Sequence, residues 1–293
     1  MTLQSLLICL KTAYSGERAN LVCEILLAHF LNKSRVFLHA NADKKVESLL
    51  ENANLALFNN AKNTQKISAK MLEAFLLDII SRLNSGYPLE YITKKVSFYS
   101  QDFFVDEGAL IPRPETEILI EYALDLIIKH NIKNIYEIGV GSGVISIMLC
   151  LLNKNISIVA SDISSSALAI ARHNIKLKSK QDSTLKKRLK LVMTNLLDGI
   201  KIPKHALIIS NPPYIAESYA IPKNLAFEPQ NALFGGKNGD EILRKIIALE
   251  ADFLCCEIGY NQGYLKKYLG KYKQVKFYKD YAGFMRGFVA SKI

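Results

Sequence analysis

The stretch that most restricts the fold is an apolar segment that runs directly into a glycine-rich loop. Residues 134–137 are predicted to form a strand, the loop is Gly139-Val140-Gly141-Ser142-Gly143, and apolar residues recur over 145–151 at helical spacing. A strand, a glycine turn and a helix in this order make the βα unit in which backbone N–H groups at the helix start are free to hold a cofactor. The pattern predicts an α/β fold built around a cofactor site.

The spacing of the glycines narrows the choice of cofactor. A dinucleotide fingerprint needs G-x-G-x-x-G, whereas position 144 holds Val144 and the third glycine is Gly143. A G-x-G-x-G loop lets the backbone approach a nucleoside that carries no pyrophosphate. The predicted cofactor is therefore S-adenosylmethionine rather than NAD.

Polar residues at the ends of the next predicted strands supply further cofactor contacts. The strand over 156–161 leads into Asp162, whose carboxylate is expected to accept hydrogen bonds from both ribose hydroxyls. Glu137 ends the first strand and is expected to face the cofactor amino group or to support the loop. The strand over 189–193 leads to the turn Asn195-Leu196, which is expected to lie over the adenine, because successive strands of a doubly wound sheet end at one edge.

A second motif, Asn211-Pro212-Pro213-Tyr214, follows a predicted buried strand over 206–209. The two prolines fix φ and remove two N–H donors, which leaves the carbonyls of Asn211 and Pro212 as acceptors. Tyr214 adds a flat face on which a substrate can stack. The motif contains no nucleophile and no base, so it suits a planar substrate that carries an NH2 group.

Two further loops are candidates for the walls of the site. Arg113 and Glu115 are flanked by prolines in a stiff loop that ends where Thr116 starts a predicted helix, and this loop is expected to act as a lid. A glycine-rich stretch over 232–240 is expected to close on the substrate.

Composition sets limits on compartment, metals and partners. The formal net charge is +11, with basic clusters over 172–190 and 266–279, which indicates an anionic partner or an RNA-rich setting. The five cysteines lack C-x-x-C spacing and the five histidines lack ligand spacing, so reduced thiols, a cytoplasmic location and no metal are predicted. No apolar run reaches the length of a membrane span and no signal peptide is expected.

The motifs together resemble the peptide chain release factor glutamine methyltransferases (the HemK/PrmC family), and the likeness covers nearly the whole chain. It rests on residues 113–117, the glycine loop, Asp162, Asn211-Pro212-Pro213-Tyr214 and Glu228-Pro229, and it extends to residues 23–31 and 88–92. Two departures are Asn195, where the family often has an acid, and a long basic segment over 179–190.

The resemblance implies a fold, a reaction and a partner. The expected fold is α/β, with a doubly wound, mostly parallel seven-stranded sheet of the class I adenosylmethionine-dependent methyltransferase type and an N-terminal helical bundle. The expected domains are 1–84, which helps to hold the release factor, 85–112, a linker with a β-hairpin, and 113–293, the catalytic domain. The expected reaction methylates the glutamine in the Gly-Gly-Gln loop of class-1 release factors, by a monomer without membrane contact.

The site residues follow from the motifs and the resemblance. Substrate contacts and catalysis are assigned to Asn211, Pro212, Pro213 and Tyr214, with Glu228 as a further substrate contact. Cofactor contacts are assigned to Arg113, Thr116, Glu137, Gly139, Val140, Gly141, Ser142, Gly143, Asp162, Leu196 and Asn211. A carboxamide nitrogen is a poor nucleophile, so the expected mechanism aligns it in line with the sulfonium methyl while the Asn211 side-chain oxygen and the Pro212 carbonyl accept its N–H bonds.

Other substrates fit the same tetrapeptide. Methyltransferases of adenine N6 in DNA and guanine N2 in ribosomal RNA use it to hold an exocyclic amine flipped out of the stack. A ribosomal-protein glutamine is a closer alternative, and contact with nucleic acid is left open.

Overall fold

The computed structural model describes residues 1–52 and 67–293, and these residues form two compact units. The first, the helical unit, comprises Met1–Thr93 and Pro222–Phe227, and the second, the sheet unit, comprises Lys94–Ile221 and Glu228–Ile293. The predicted break at 59–63, and most of the apolar group that ends at Phe58, lie outside the described residues. None of the helices within those ranges is both long and apolar enough to cross a membrane.

The helical unit consists of short helices around a leucine-rich core. Ser68 caps one of them by accepting a hydrogen bond from the Met71 N–H at 3.2 Å, as predicted. The helices are α1 (Leu3–Ala13), α2 (Ala19–Leu31), α3 (Arg35–Ala40), α4 (Ala69–Asn84) and α5 (Leu89–Thr93), with a 3₁₀ helix at Val46–Asn52.

The conformation predicted for the first part of the linker is wrong. Polar and apolar residues alternate over 88–93, which predicts an extended segment, but Leu89–Thr93 forms the helix α5. Tyr91, Ile92 and Thr93 are all buried, which a strand with one solvent face does not allow. The predicted hairpin does form, from β1 (Lys95–Phe98) and β2 (Gln101–Phe104), and it belongs to the sheet unit.

The sheet unit is a seven-stranded sheet with the strand order β5-β4-β3-β6-β7-β9-β8. Strands β3 to β7 pair in parallel, and β9 pairs antiparallel with both β7 and β8. This confirms the predicted fold class. The strands are β3 (Asn134–Ile138), β4 (Ser157–Asp162), β5 (Leu189–Met193), β6 (Ala206–Ser210), β7 (Phe253–Glu257), β8 (Gln274–Lys279) and β9 (Met285–Ser291).

Helices cover the sheet and complete two apolar cores. They are α6 (Thr116–His130), α7 (Val144–Leu152), α8 (Ser165–Lys178), α9 (Leu185–Arg188), α10 (Gln230–Leu233) and α11 (Glu241–Ala248). The sequence over 262–272 predicts an α-helix, but the structure forms only a 3₁₀ helix at Gly263–Tyr268, with glycines at positions 263 and 270.

The chain order of the strands fixes where a ligand can bind. Strand β4 lies on one side of β3, and β6 lies on the other side after the chain has passed through β5. The carboxyl ends of β3, β4 and β6 therefore meet at the point where the winding direction reverses, which is where open α/β sheets bind ligands.

Gly143 joins the loop after β3 to helix α7. Its φ of 85° lies in the left-handed region, and an added Cβ would lie 3.2 Å from the Ile147 Cδ1 and 3.3 Å from the Ala171 Cβ. Only glycine adopts this conformation without strain. The third glycine of the loop thus serves the close packing of α7 against α8.

We predict that Gly143→Ala lowers the free energy of unfolding by about 1–2 kcal/mol, the cost of a left-handed residue with a Cβ. Urea unfolding measures this loss. Gly270→Ala is the matched control, because an added Cβ at Gly270 meets nothing within 4 Å and its φ is not positive. Equal stability of the two variants would contradict the assignment.

Candidate active site

The loop after β3 forms the floor of a cavity of about 320 Å³ at the carboxyl edge of the sheet. Gly139 and Gly141 have φ values of 76° and 52°, and a Cβ added at Gly141 would meet nothing within 4 Å. A Cβ at Gly139 would come within 4.0 Å of the Asn211 carbonyl oxygen. The two glycines therefore keep open a space that side chains would occupy.

The N–H groups of this loop are less free than the sequence suggested. Gly139 and Val140 both donate to the Ser161 carbonyl at 2.9 Å, and Gly141 donates to the Asp162 Oδ2 at 3.0 Å. These bonds tie the loop to strand β4. The loop thus contributes its shape more than its donors.

Asp162 is oriented by backbone donors on both of its oxygens. Its Oδ2 accepts from Gly141, and its Oδ1 accepts from the Ser164 N–H at 2.9 Å. Each carboxylate oxygen can accept a second hydrogen bond. Asp162 lines the cavity and can therefore receive two hydroxyl groups of a ligand.

Glu137 is a fully buried carboxyl that also lines the cavity. Its Oε2 accepts from the N–H and the hydroxyl of Ser146 at the start of α7. Within the described part of the chain, its Oε1 has no hydrogen-bond partner. Burial raises the pKa of Glu137 to about 8, and the Ser146 bonds oppose this shift. A buried oxygen without a partner fits a cationic amine, so this site suits the amino group of an amino-acid-like cofactor.

The Asn211-Pro212-Pro213-Tyr214 turn follows β6 at the same edge. The Asn211 Nδ2 donates to the Thr116 Oγ1 at 3.1 Å, and no described residue donates to the Asn211 Oδ1. Asn211, Pro213 and Thr116 line the cavity. The turn therefore presents a side-chain oxygen acceptor beside the glycine loop.

Gly235 and Gly239, in the glycine-rich stretch over 232–240, pack against the backbone of this turn. Gln262 Nε2 donates to the Tyr214 carbonyl at 3.1 Å and to the Gly239 carbonyl at 3.0 Å. Gly235 donates to the Ile215 carbonyl at 2.9 Å, and a Cβ at Gly239 would lie 2.6 Å from the Tyr214 oxygen. Ala232 and Phe234 of the stretch over 232–240 line the cavity, so its closure on the substrate stays a prediction.

Arg113 and Glu228 bind each other outside the cavity lining. The buried Glu228 forms an ion pair with Arg113 through Oε1 and accepts from the Ile111 N–H at 2.9 Å through Oε2. This pair fixes the loop that contains Pro112, which does line the cavity. Direct cofactor or substrate contact by Arg113 and Glu228 stays a prediction.

The other predicted site residues fall into two groups, those that line the cavity and those that do not. Val140, Ser142 and Leu196 line the cavity, whereas Pro212, Tyr214 and Gly143 do not. Tyr214 is half-buried, and this burial raises the pKa of its hydroxyl, while the nearby Arg286 opposes the shift. Its stacking role also stays a prediction.

Sequence reasoning missed two parts of the site. The segment 108–110 lines the cavity, although it has no distinctive residue pattern. Glu257 ends β7, and its carboxyl lies beside the Thr116 hydroxyl. A signal for Glu257 existed, because residues 253–257 are an apolar strand that ends in an acid, like the strand that ends in Asp162.

Comparisons with known proteins agree with this geometry. The family model described as "Methyltransferase small domain" matches residues 115–235. A "Release factor glutamine methyltransferase" of Dictyoglomus turgidum is 40% identical over 241 residues, which cover 80% of this chain and 74% of that protein. A protein of the same name from Clostridium acetobutylicum is 32% identical over 237 residues, covering 79% of this chain and 73% of the relative.

A solved structure supports the fold alone. The hMettl16 catalytic domain in complex with MAT2A 3'UTR hairpin 6 superposes with a TM-score of 0.51 at 19% identity, and the match covers 64% of this chain and 74% of that chain.

The raised pKa of Glu137 makes stability depend on pH. Between the ordinary pKa of 4.5 and about 8, the unfolded chain has lost this proton while the folded chain keeps it. The free energy of unfolding therefore falls as the pH rises through this window, by at most about 1.4 kcal/mol per pH unit for one proton.

We predict that Glu137→Gln reduces this fall, measured by urea unfolding from pH 5 to 8.5. Part of the slope remains, because burial also raises the pKa of Glu257, to about 7. An unchanged slope in the variant would show that Glu137 is ionised in the folded protein.

Proposed function

This chain belongs to the release factor glutamine methyltransferase family, and on that premise we propose that it methylates the side-chain amide nitrogen of the glutamine in the Gly-Gly-Gln loop of class-1 release factors. S-adenosylmethionine, when bound, supplies the methyl group as an electrophilic sulfonium substituent.

One observation carries the proposal. The Asn211 amide has its nitrogen engaged by Thr116, so its oxygen is the free acceptor, and Asn211 lines the same cavity as the glycine loop and Asp162. An acceptor placed there binds an NH2 group, and the primary amide of glutamine carries one.

The residues of the turn can promote the reaction without a base. The amide nitrogen gains positive charge as it is alkylated, so hydrogen bonds from its N–H groups to the Asn211 oxygen strengthen in the transition state. Such charge-assisted bonds contribute about 1.5–3 kcal/mol each. The prolines stiffen the turn, so that little reorganisation is needed.

The cavity also has residues that fit each part of S-adenosylmethionine. The unpaired oxygen of Glu137 suits the amino group, Asp162 suits the ribose hydroxyls, and the turn Asn195-Leu196 suits the adenine. A cavity of about 320 Å³ lies in the range of small-molecule sites.

A cytoplasmic monomer fits this function. The five cysteines are all free, as expected of a reducing compartment, and release factors act in translation.

The function is tested by incubating the protein with S-adenosylmethionine and a purified class-1 release factor. Mass spectrometry of the digested factor is expected to find one added methyl group on the Gly-Gly-Gln peptide. A factor with Gly-Gly-Ala in that loop is the matched control. DNA, ribosomal RNA and ribosomal proteins are offered in parallel, and methylation of one of these in place of the factor would refute the proposal.

We predict that Asn211→Ala lowers kcat by about 10- to 100-fold or more, because it removes a bond that strengthens in the transition state. Calorimetry is expected to find cofactor binding retained. Asn155→Ala, an exposed asparagine at the amino end of β4, serves as the control. Normal turnover by Asn211→Ala would remove the assigned role.

A further inference from the structure

Three side chains at the carboxyl edge of the sheet form a hydrogen-bonded chain that ends at the catalytic turn. Strand β6 pairs with β7 so that Ser210 lies opposite Cys256, which places Asn211 and Glu257 next to each other at the strand ends. Thr116, at the start of α6, lies between them. The Asn211 Nδ2 donates to the Thr116 Oγ1 at 3.1 Å. The Thr116 hydroxyl also lies beside the Glu257 carboxyl, to which it can give its hydrogen.

Thr116 and Glu257 are both buried. Thr116 and Glu257 each have 2% of their surface exposed. In the described part of the chain, the Glu257 Oε1 has no hydrogen-bond partner. Because so little of either residue is exposed, their buried polar groups need partners within the protein.

The number of hydrogens available to these three side chains decides which way the Asn211 amide faces. A threonine hydroxyl has a single hydrogen. When that hydrogen goes to the Glu257 carboxylate, Thr116 can only accept from Asn211, so the amide must turn its NH2 group to Thr116. The Asn211 oxygen is then the group left for the cavity.

The reversed amide would have a similar shape but opposite chemistry. An NH2 group facing the cavity would meet the NH2 group of a substrate amide, and neither could accept. The direction of the amide therefore separates a productive site from an unproductive one.

We propose that Thr116 and Glu257 are positioning residues, which fix the orientation of the Asn211 amide so that its oxygen accepts from the substrate. The use of that oxygen in catalysis rests on the function proposed above, whereas the orientation itself can be tested without it.

The charge of Glu257 is set by the groups around it. Burial raises its pKa to about 7, the Thr116 bond and Arg286 on β9 oppose the shift, and Glu115 adds to it. Tyr214, Tyr278 and Cys255 also face Glu257. When Glu257 takes up a proton, it can donate to Thr116, which frees the threonine hydrogen to turn toward the Asn211 oxygen.

The kinetic test uses variants that keep size but change hydrogens. Thr116→Val removes the hydroxyl and is expected to lower kcat by about 10- to 100-fold, with KM for the release factor and Kd for the cofactor changed less than about threefold. Thr116→Ser keeps the hydroxyl and is expected to recover most of the rate. Glu257→Gln can donate to Thr116, so it is expected to lower kcat and to remove a rise in kcat through a pH of about 7.

Ile120→Val on α6 is the matched control for stability. Ile120 is fully buried in the core beside this helix, and the change removes one methyl group without touching the hydrogen-bonded chain. Its kcat is expected to equal that of the unchanged protein.

A second measurement does not depend on methyl transfer. In ¹⁵N-labelled protein, the side-chain NH2 signals of Asn211 are assigned by their loss in Asn211→Ala. Thr116→Val is expected to speed their exchange with solvent about tenfold, the equivalent of one lost hydrogen bond, while Thr116→Ser leaves exchange slow.

The outcomes separate this proposal from the proposed function. If the unchanged protein does not methylate the release factor, the function fails, and the exchange rates alone decide whether Thr116 orients Asn211. If it does methylate and Thr116→Val keeps its kcat, the positioning role is wrong. A loss of cofactor binding with unchanged kcat in Thr116→Val would also overturn the proposal, because Thr116 would then be a cofactor contact. If Thr116→Val does not fold, Thr116→Ser and Glu257→Gln give the same decision through the pH profile.

Discussion

The site depends on the parallel pairing of β3 with β4 on one side and with β6 on the other. In each pair the last residues are in register, with Ile138 opposite both Ser161 and Ser210. The two serines strengthen these ends, since the Ser210 hydroxyl donates to the Ile138 carbonyl at 2.7 Å and the Ser161 hydroxyl donates to the Glu137 carbonyl at 3.2 Å. Without this register, the glycine loop and Asn211 would not share a cavity.

The two sides of β3 contribute different parts of the site. On the β4 side, Asp162 and the glycine loop are bonded to each other and line a recess that suits the nucleoside of the proposed cofactor. On the β6 side, Gln262 donates a hydrogen bond to the proline turn, and Asn211 in this turn presents its side-chain oxygen. A substrate amide and a methyl donor would approach each other at the boundary, which is where in-line transfer requires them.

Much of this arrangement follows from local sequence, and the rest depends on contacts between distant strands. The βα unit around Gly139–Gly143 and the Asn211 turn carry their own signals, namely glycine spacing and paired prolines, so their elements could be predicted. The place of Glu257 beside Asn211 could not be predicted, because the two residues come together only through the pairing of β6 with β7. The extended conformation predicted over 88–93 failed for a similar reason, since burial of consecutive residues against other helices overrode the alternating pattern.

Three carboxyl groups at the ends of adjacent strands show how the sheet assigns different chemistry to one residue type. Asp162 receives a backbone N–H on each oxygen, which fixes the orientation of its carboxylate at the cavity. Glu137 and Glu257 are buried and each keeps one oxygen without a described partner, so burial raises the pKa of both. An unpaired buried carboxyl is unfavourable for folding alone. Two of them at one edge are therefore better explained by binding than by stability. Glu137 lines the cavity, so a ligand there can supply the missing partner. Glu257 lies beside Thr116 and would act through Asn211 in the positioning role proposed above.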